Sequence, residues 1–239
     1  MKTRFSLIAA LAAISLAGCA TTDPQSLAQN DPFEPTNREI FAFSIAVDKA
    51  VARPAAQAYR AAVPEPARQG VRNALANLNA PVVLVNDVLQ GEGEKAVNTF
   101  GRFMINSTVG LAGLIDVATD LGIPGHVTDF GITLGKGGVQ EGSYLVLPFI
   151  GPKPPRDLLG EGVDTAFDPL TYITWNNSTL YMIVRSGLGV LDKREATLDT
   201  VESIERTSID FYATTRSLYR QNRNAQIRGE AANEDLPNF

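Results

Sequence analysis

The stretch RFMINSTVGLAGLIDVATDLG, Arg102–Gly122, decides how the rest of the chain is read. From Phe103 to Ile115 it carries no charge. A bilayer crossing takes about 18–20 apolar residues, so this run is too short to span one. It is also glycine-rich for a core helix, where Gly costs roughly 1 kcal/mol relative to Ala. At about 100° per residue, Leu111, Leu114, Ile115, Val117, Ala118 and Leu121 share one side. Asp116, Thr119 and Asp120 share the other, with Gly113 beside them. The pattern predicts an amphipathic helix over 109–121 with an acidic edge, ended by Gly122 and Pro124. Gly110 and Gly113 permit close backbone approach. Periodicity does not say whether the apolar face meets a soluble core or a membrane.

Upstream, the same 3.6-residue pattern recurs. Thr36 or Asn37 caps a helix in which Ile40, Phe43, Val47 and Val51 form a stripe, and Pro54 lies beyond its end. Pro64 and Pro66 frame a second helix with Ala67, Val71, Ala74, Leu75 and Leu78 on one face. A third is expected from Pro81 to Gly91, and a fourth from Glu92, carrying Ala96, Phe100 and Phe103. Downstream, GITLGKGGVQEG (131–142) holds five glycines and predicts a mobile loop or hairpin. SYLVLPFIGP allows only a short edge strand because of Pro148 and Pro152. KPPRD is expected to turn rigidly. Helices are expected over 179–191 and, most clearly, 195–223. The class is mostly α, built of short amphipathic helices.

The N-terminus reads MKTR, then FSLIAALAAISLAG, then Cys19. A basic start, a short apolar core and small residues before the cysteine describe a signal peptide over 1–18 rather than an uncleaved anchor. Leu16-Ala17-Gly18-Cys19 resembles the lipobox of bacterial lipoproteins, which implies cleavage before Cys19 and its acylation. Cys19 is the only cysteine, so no intramolecular disulfide or cysteine metal cluster is possible. Ala20 follows it where inner-membrane retention would use Asp, which implies outer-membrane sorting. Residues 19–30 read as a flexible lipidated tether, 31–225 as the folded body and 226–239 as a polar, disordered tail. Loss of Lys2 and Arg4 takes the formal charge from −5 to −7. An acidic chain has no electrostatic reason to bind nucleic acid.

Catalytic signals are absent. The only histidine, His126, sits in an expected turn, and there is no G-x-S-x-G elbow for it to serve. Gly131 to Gly137 has three residues between its first two glycines and no Ser or Thr after Lys136, so it is not a phosphate loop. Asp116 and Asp120 lack further ligands for a cation and read as a solvated edge. Arg102, Arg156 and Arg185 adjoin apolar sequence, where they either meet lipid phosphate or form ion pairs. No cofactor or metal is implied.

Six blocks follow one another in order: DPFEPTNREIFAF (31–43), VPEPARQGVRNALANL (63–78), PVVLVNDVLQG (81–91), RFMINSTVGLAGLIDVA (102–118), DFGITLGKGGVQEGSYLVLPFIGP (129–152) and RD (156–157). Together they resemble the MlaA (VacJ) family of outer-membrane lipoproteins. Ser44 departs from the Asn that the family often has there. The resemblance implies a membrane-embedded ring of amphipathic helices around a central channel. Phospholipids astray in the outer leaflet would enter it and leave for a soluble periplasmic carrier, with a trimeric porin holding the ring. No bond would be made or broken. On this reading Gly110, Leu111, Gly113, Leu114, Asp116 and Ala118 belong to the channel or membrane face. Gly131, Gly135, Gly137, Gly138 and Gly142 belong to a gating loop. The alternatives are an envelope scaffold lipoprotein and a membrane-bound lipid hydrolase.

Overall fold

The computed structural model describes residues 20–173 and 176–230. The expected signal peptide, Cys19, Thr174, Trp175 and residues 231–239, most of the expected tail, lie outside the described residues. Within them the chain is mostly helical, as expected. Helix α1 (Pro24–Ala28) is capped by Asp23, whose side chain accepts from the Ser26 amide at 3.0 Å. Ser26 is buried, and Asn30 donates to the Gly142 carbonyl at 2.6 Å. Residues 23–30 are therefore packed onto the body and are not a flexible tether.

Helix α2 (Glu34–Val47) does not stop before Pro54. It runs through a π turn, Asp48–Ala52, into α3 (Arg53–Ala62). Pro54 comes directly after the π turn, inside this continuous helix, where the i→i−4 ladder is already interrupted. Helix α4 (Glu65–Leu89) merges two expected helices, with Pro81 inside it. An internal proline costs about 3 kcal/mol. Helix α4 lies against α5 (Gly93–Thr108), and that packing outweighs the loss.

The helix expected over 109–121 does not form. Only Val117–Asp120 is helical (α6), and 109–116 is a series of turns. Leu111, Ala112 and Gly113 all have positive φ, 54°, 58° and 93°. A Cβ on Gly113 would lie 2.6 Å from the Asn77 Cβ, so the chain turns there because only glycine fits.

The glycine-rich segment is also corrected. Residues Phe130–Lys136 form helix α7, started by Asp129, whose carboxylate accepts from the Ile132 amide at 2.9 Å. Strands β1 (Val146–Leu147) and β2 (Gly151–Pro152) make the short antiparallel piece that the prolines allow. Pro155 is not in a rigid turn; it opens helix α8 (Pro155–Phe167). Helix α9 spans Ser178–Ala196. The long helix expected from Glu195 is two, α10 (Leu198–Thr207) and α11 (Phe211–Arg228). Asp210 interrupts it by capping α11 and pairing with Arg38.

Helix α7 packs on both α8 and α11, and α3 packs on α9. The apolar core is small: Phe41, Tyr144, Val146 and Tyr212, with edge-on ring contacts between Phe41 and Tyr212 at 5.6 Å. Beneath it Asp31, fully buried, accepts from Asn37 at 2.8 Å and Arg216 at 2.6 Å, and from the Tyr212 hydroxyl at 2.5 Å.

Candidate functional site

Two helices, α5 and α8, are turned inside out. On α5 the exposed side carries Val97, Phe100 and Met104, while Ala96, Thr99 and Asn106 face inward. On α9 Leu180, Ile183, Val184, Leu188 and Val190 are exposed, and only the last turn, with Asp192 and Glu195, is buried. Helix α4 exposes Val88 and Leu89 and buries Asn77, Asn86 and Asp87. Helix α8 exposes Leu158 and Leu159 and buries Arg156 and Asp157. Scattered exposed leucines are ordinary in a soluble protein, but apolar stripes opposite buried carboxylates and amides are not. Such a surface suits a medium of hydrocarbon. Among the described residues no helix is long and apolar enough to cross a membrane.

The buried polar groups hold the helices together. Asp87 accepts from Thr99 at 2.7 Å and lies 2.6 Å from His126 Nε2. Asn86 donates to Asp164 at 2.8 Å, and Asp164 also accepts from the Phe130 amide. Burial raises the Asp164 carboxyl above its ordinary value, although those hydrogen bonds oppose it. Glu195 accepts from Arg60 at 2.7 Å and Asp48 from Arg194 at 2.6 Å, tying α9 to α3 and the π turn.

A polar cavity of about 360 Å³ lies between α4, α5 and α6, lined by Asn77, Arg102, Asn106, Asp116 and His126 with Val83 and Phe103. Arg102 bridges Asp116 at 2.7 Å and Thr119 at 2.9 Å. Asn106 donates to Asp116 at 2.9 Å and accepts from the Ala118 amide at 3.0 Å. Burial would raise the Asp116 carboxyl, but hydrogen bonds from Thr119, Asn106 and Arg102 outweigh it and bring it down to about 2. Around this wet pocket, Val109, Leu111, Leu114, Ile115, Leu121 and Val127 are exposed.

The expected channel residues thus separate. Asp116 lines the cavity and Ala118 is buried beside it. Leu111 and Leu114 point outward on a strained turn. Gly110 and Gly113 make that turn: a Cβ on Gly110 would lie 2.2 Å from the Ile115 carbonyl oxygen. Among the expected gating glycines, Gly131 and Gly135 are packing positions, where a Cβ would meet Arg223 and Ile227. Gly138 and Gly142 have positive φ outside α7, and Gly137 ends that helix. Arg102, Arg156 and Arg185 all form ion pairs, with Asp116, Asp157 and Asp168.

The family model for the MlaA lipoprotein matches residues 29–226. The chain belongs to the MlaA lipoprotein family. The intermembrane phospholipid transport system lipoprotein MlaA of Haemophilus influenzae is 37% identical over 228 residues, 93% of this chain and 90% of that protein. The protein of the same description from Escherichia coli K12 is 35% identical over 243 residues, covering all of this chain and 94% of its own length. A solved structure described as the structural basis for maintenance of bacterial outer membrane lipid asymmetry aligns with a TM-score of 0.74 at 33% identity. It covers 82% of this chain and 98% of that one.

In this MlaA-family chain, Ser44 stands where Asn was expected from the resemblance. It donates to the Ile40 carbonyl at 2.9 Å and accepts from the Phe149 amide at 3.4 Å, joining α2 to the tip of the β1–β2 hairpin. Asn77, Asn86, Asp87 and Thr99 were missed by sequence reasoning, and His126 was read as a surface turn residue. Part of their signal was present: Thr99 lies across α5 from Val97, Phe100 and Met104, and Asp87 lies across α4 from Val88 and Leu89. The period alone did not say which face is buried.

Proposed function

We propose that this chain is an outer-membrane lipoprotein that removes mislocalised phospholipids from the outer leaflet and passes them to a periplasmic carrier, so preserving lipid asymmetry. The single observation that carries this reading is the inverted polarity of α5 and α8, apolar outward and polar inward, with the exposed apolar stripe of α9 beside them. Hydrocarbon can wet the outside while headgroups pass polar walls. The transport system named for the relatives from Haemophilus influenzae and Escherichia coli supports the same reading. Acylated Cys19 anchors the body, and a trimeric porin steadies it in the bilayer. Of the expected gating segment, only 137–142 lies outside α7; Glu141 and Gly142 are held by Arg220 and Asn30, which leaves 137–140 to act as a moving part.

The test is lipid analysis of the outer leaflet in a strain lacking this chain. Phospholipid should accumulate there and clear on re-expression of the wild type. Cys19→Ala should give an unprocessed, mislocalised precursor that fails to clear it. Normal asymmetry in the deletion strain, with no phospholipid bound to the purified protein, would favour the scaffold reading.

A further inference from the structure

A second cavity, of about 610 Å³, is bounded by Asn30, the 135–143 segment and α11, with Arg156 in its wall. The Arg156 side chain is 5% exposed. Its Nε donates to Asp157 Oδ1 at 3.0 Å, and its Nη2 has no hydrogen-bond partner. Asp157 is shared: it also accepts from Arg223 at 3.0 Å and from the Tyr219 hydroxyl at 2.6 Å. Arg223 has a second carboxylate, Asp129, at 2.6 and 2.7 Å. Arg156 has no such second partner.

Its position adds to the imbalance. Arg156 is in the first turn of α8, where the helix dipole is positive and a cation is disfavoured. The last carbonyls of α7 beside it are taken, Thr133 by the Gly137 amide, Leu134 by Val139 and Gly135 by Gly138. A buried guanidinium with unmatched donors is costly, and an anion placed against it removes that cost. Gly135 is packed on Ile227 and lies beside the guanidinium: a Cβ there would meet Ile227 Cδ1 at 2.6 Å and Arg156 Nη1 at 3.4 Å. Asn224, Ser143 and Gln140 line the same space with neutral polar groups, and the one carboxylate, Glu141, is held by Arg220.

From this geometry we infer that the cavity is a subsite for a phosphate group, bound by Arg156. It rests on the transport reading for its source: the phosphodiester of a lipid headgroup, with Val139 and Ile227 lining the same space.

The experiment titrates the full-length acylated protein, in dodecyl maltoside micelles, with glycerophosphoethanolamine and separately with inorganic phosphate, read by calorimetry. Arg156→Gln should weaken binding by about tenfold or more, the loss of a charge-assisted contact. Because Arg156 is buried, the exposed wall residue Asn224 supplies a second series that leaves the Arg156–Asp157 pair intact. Asn224→Asp should weaken binding and Asn224→Lys should tighten it, each about threefold. Preference for glycerophosphoethanolamine supports the headgroup assignment. Equal binding of inorganic phosphate keeps the phosphate site and overturns that assignment. Failure of both probes to bind, or indifference to both Asn224 charges, overturns the site. Because the probes are soluble, these results stand apart from the outcome in the deletion strain.

Discussion

Asp116 shows how one carboxylate organises its surroundings. It caps α6, pairs with Arg102 and accepts from Asn106, and these bonds hold its carboxyl near 2. Its folded-state value lies below the unfolded one. The stability it contributes is therefore complete above pH about 4 and is lost as pH falls through about 2. A shift of that size corresponds to at most about 2.5 kcal/mol, and partial exposure reduces it to roughly 1–2. Asp116→Asn should cost that amount at pH 7, measured by chemical unfolding in micelles. The difference from wild type should hold down to pH about 4 and shrink towards pH 2. A difference that does not change over this range would remove Asp116's charge from the account.

At the level of elements, two glycines of α8 make opposite forecasts. Gly160 touches α7 backbone to backbone: a Cβ would lie 2.4 Å from the Gly131 nitrogen. Gly160→Ala must push α7 from α8 and should cost roughly 2–3 kcal/mol, the scale of overpacking. A Cβ on Gly162, two residues on, meets nothing within 4 Å. Gly162→Ala should stabilise by up to about 1 kcal/mol through helix propensity. Thermal unfolding of both variants, side by side in micelles, checks the pair; equal effects would contradict the packing described. Helix existence was legible in sequence for α2, α5, α8's neighbour α9 and most of α4, because an apolar stripe marks a helix whatever it faces. Boundaries were less so. The stripe across 195–223 continued through a break that Asp210 makes by capping α11. The periodicity over 109–121 was met by an outward turn, since hydrocarbon rewards exposed Leu111 and Leu114 in any backbone shape. The glycines of 131–135 signalled close packing of α7, which a sequence cannot tell from freedom to move.

For the molecule as a whole, the exposed stripes should hold the body in a membrane without its lipid. A protease site inserted between Ala20 and Thr21 cuts ahead of the packed α1. After cleavage the body should stay in the membrane fraction, because apolar burial contributes about 25 cal/mol per Å². Adding Val97→Asp, Phe100→Asp and Met104→Asp on the outer stripe of α5 should release a substantial fraction into the soluble phase. Full release of the unsubstituted body on cleavage would refute embedding.

Sequence alone determined the helical class and the ordered blocks that place the chain in its family. These are local or linear properties: cap residues, a 3.6-residue period, a motif at a fixed spacing. The tertiary structure alone decided which way each stripe faces. A period reports that two faces differ and leaves open which one is buried. That choice follows from what the opposite faces find on packing. Here Asp87 finds Thr99 and His126, and Asp157 finds Arg156, Arg223 and Tyr219. Only when distant segments supply those partners does burying a carboxylate cost less than leaving it outside, and only then can the apolar face be turned outward.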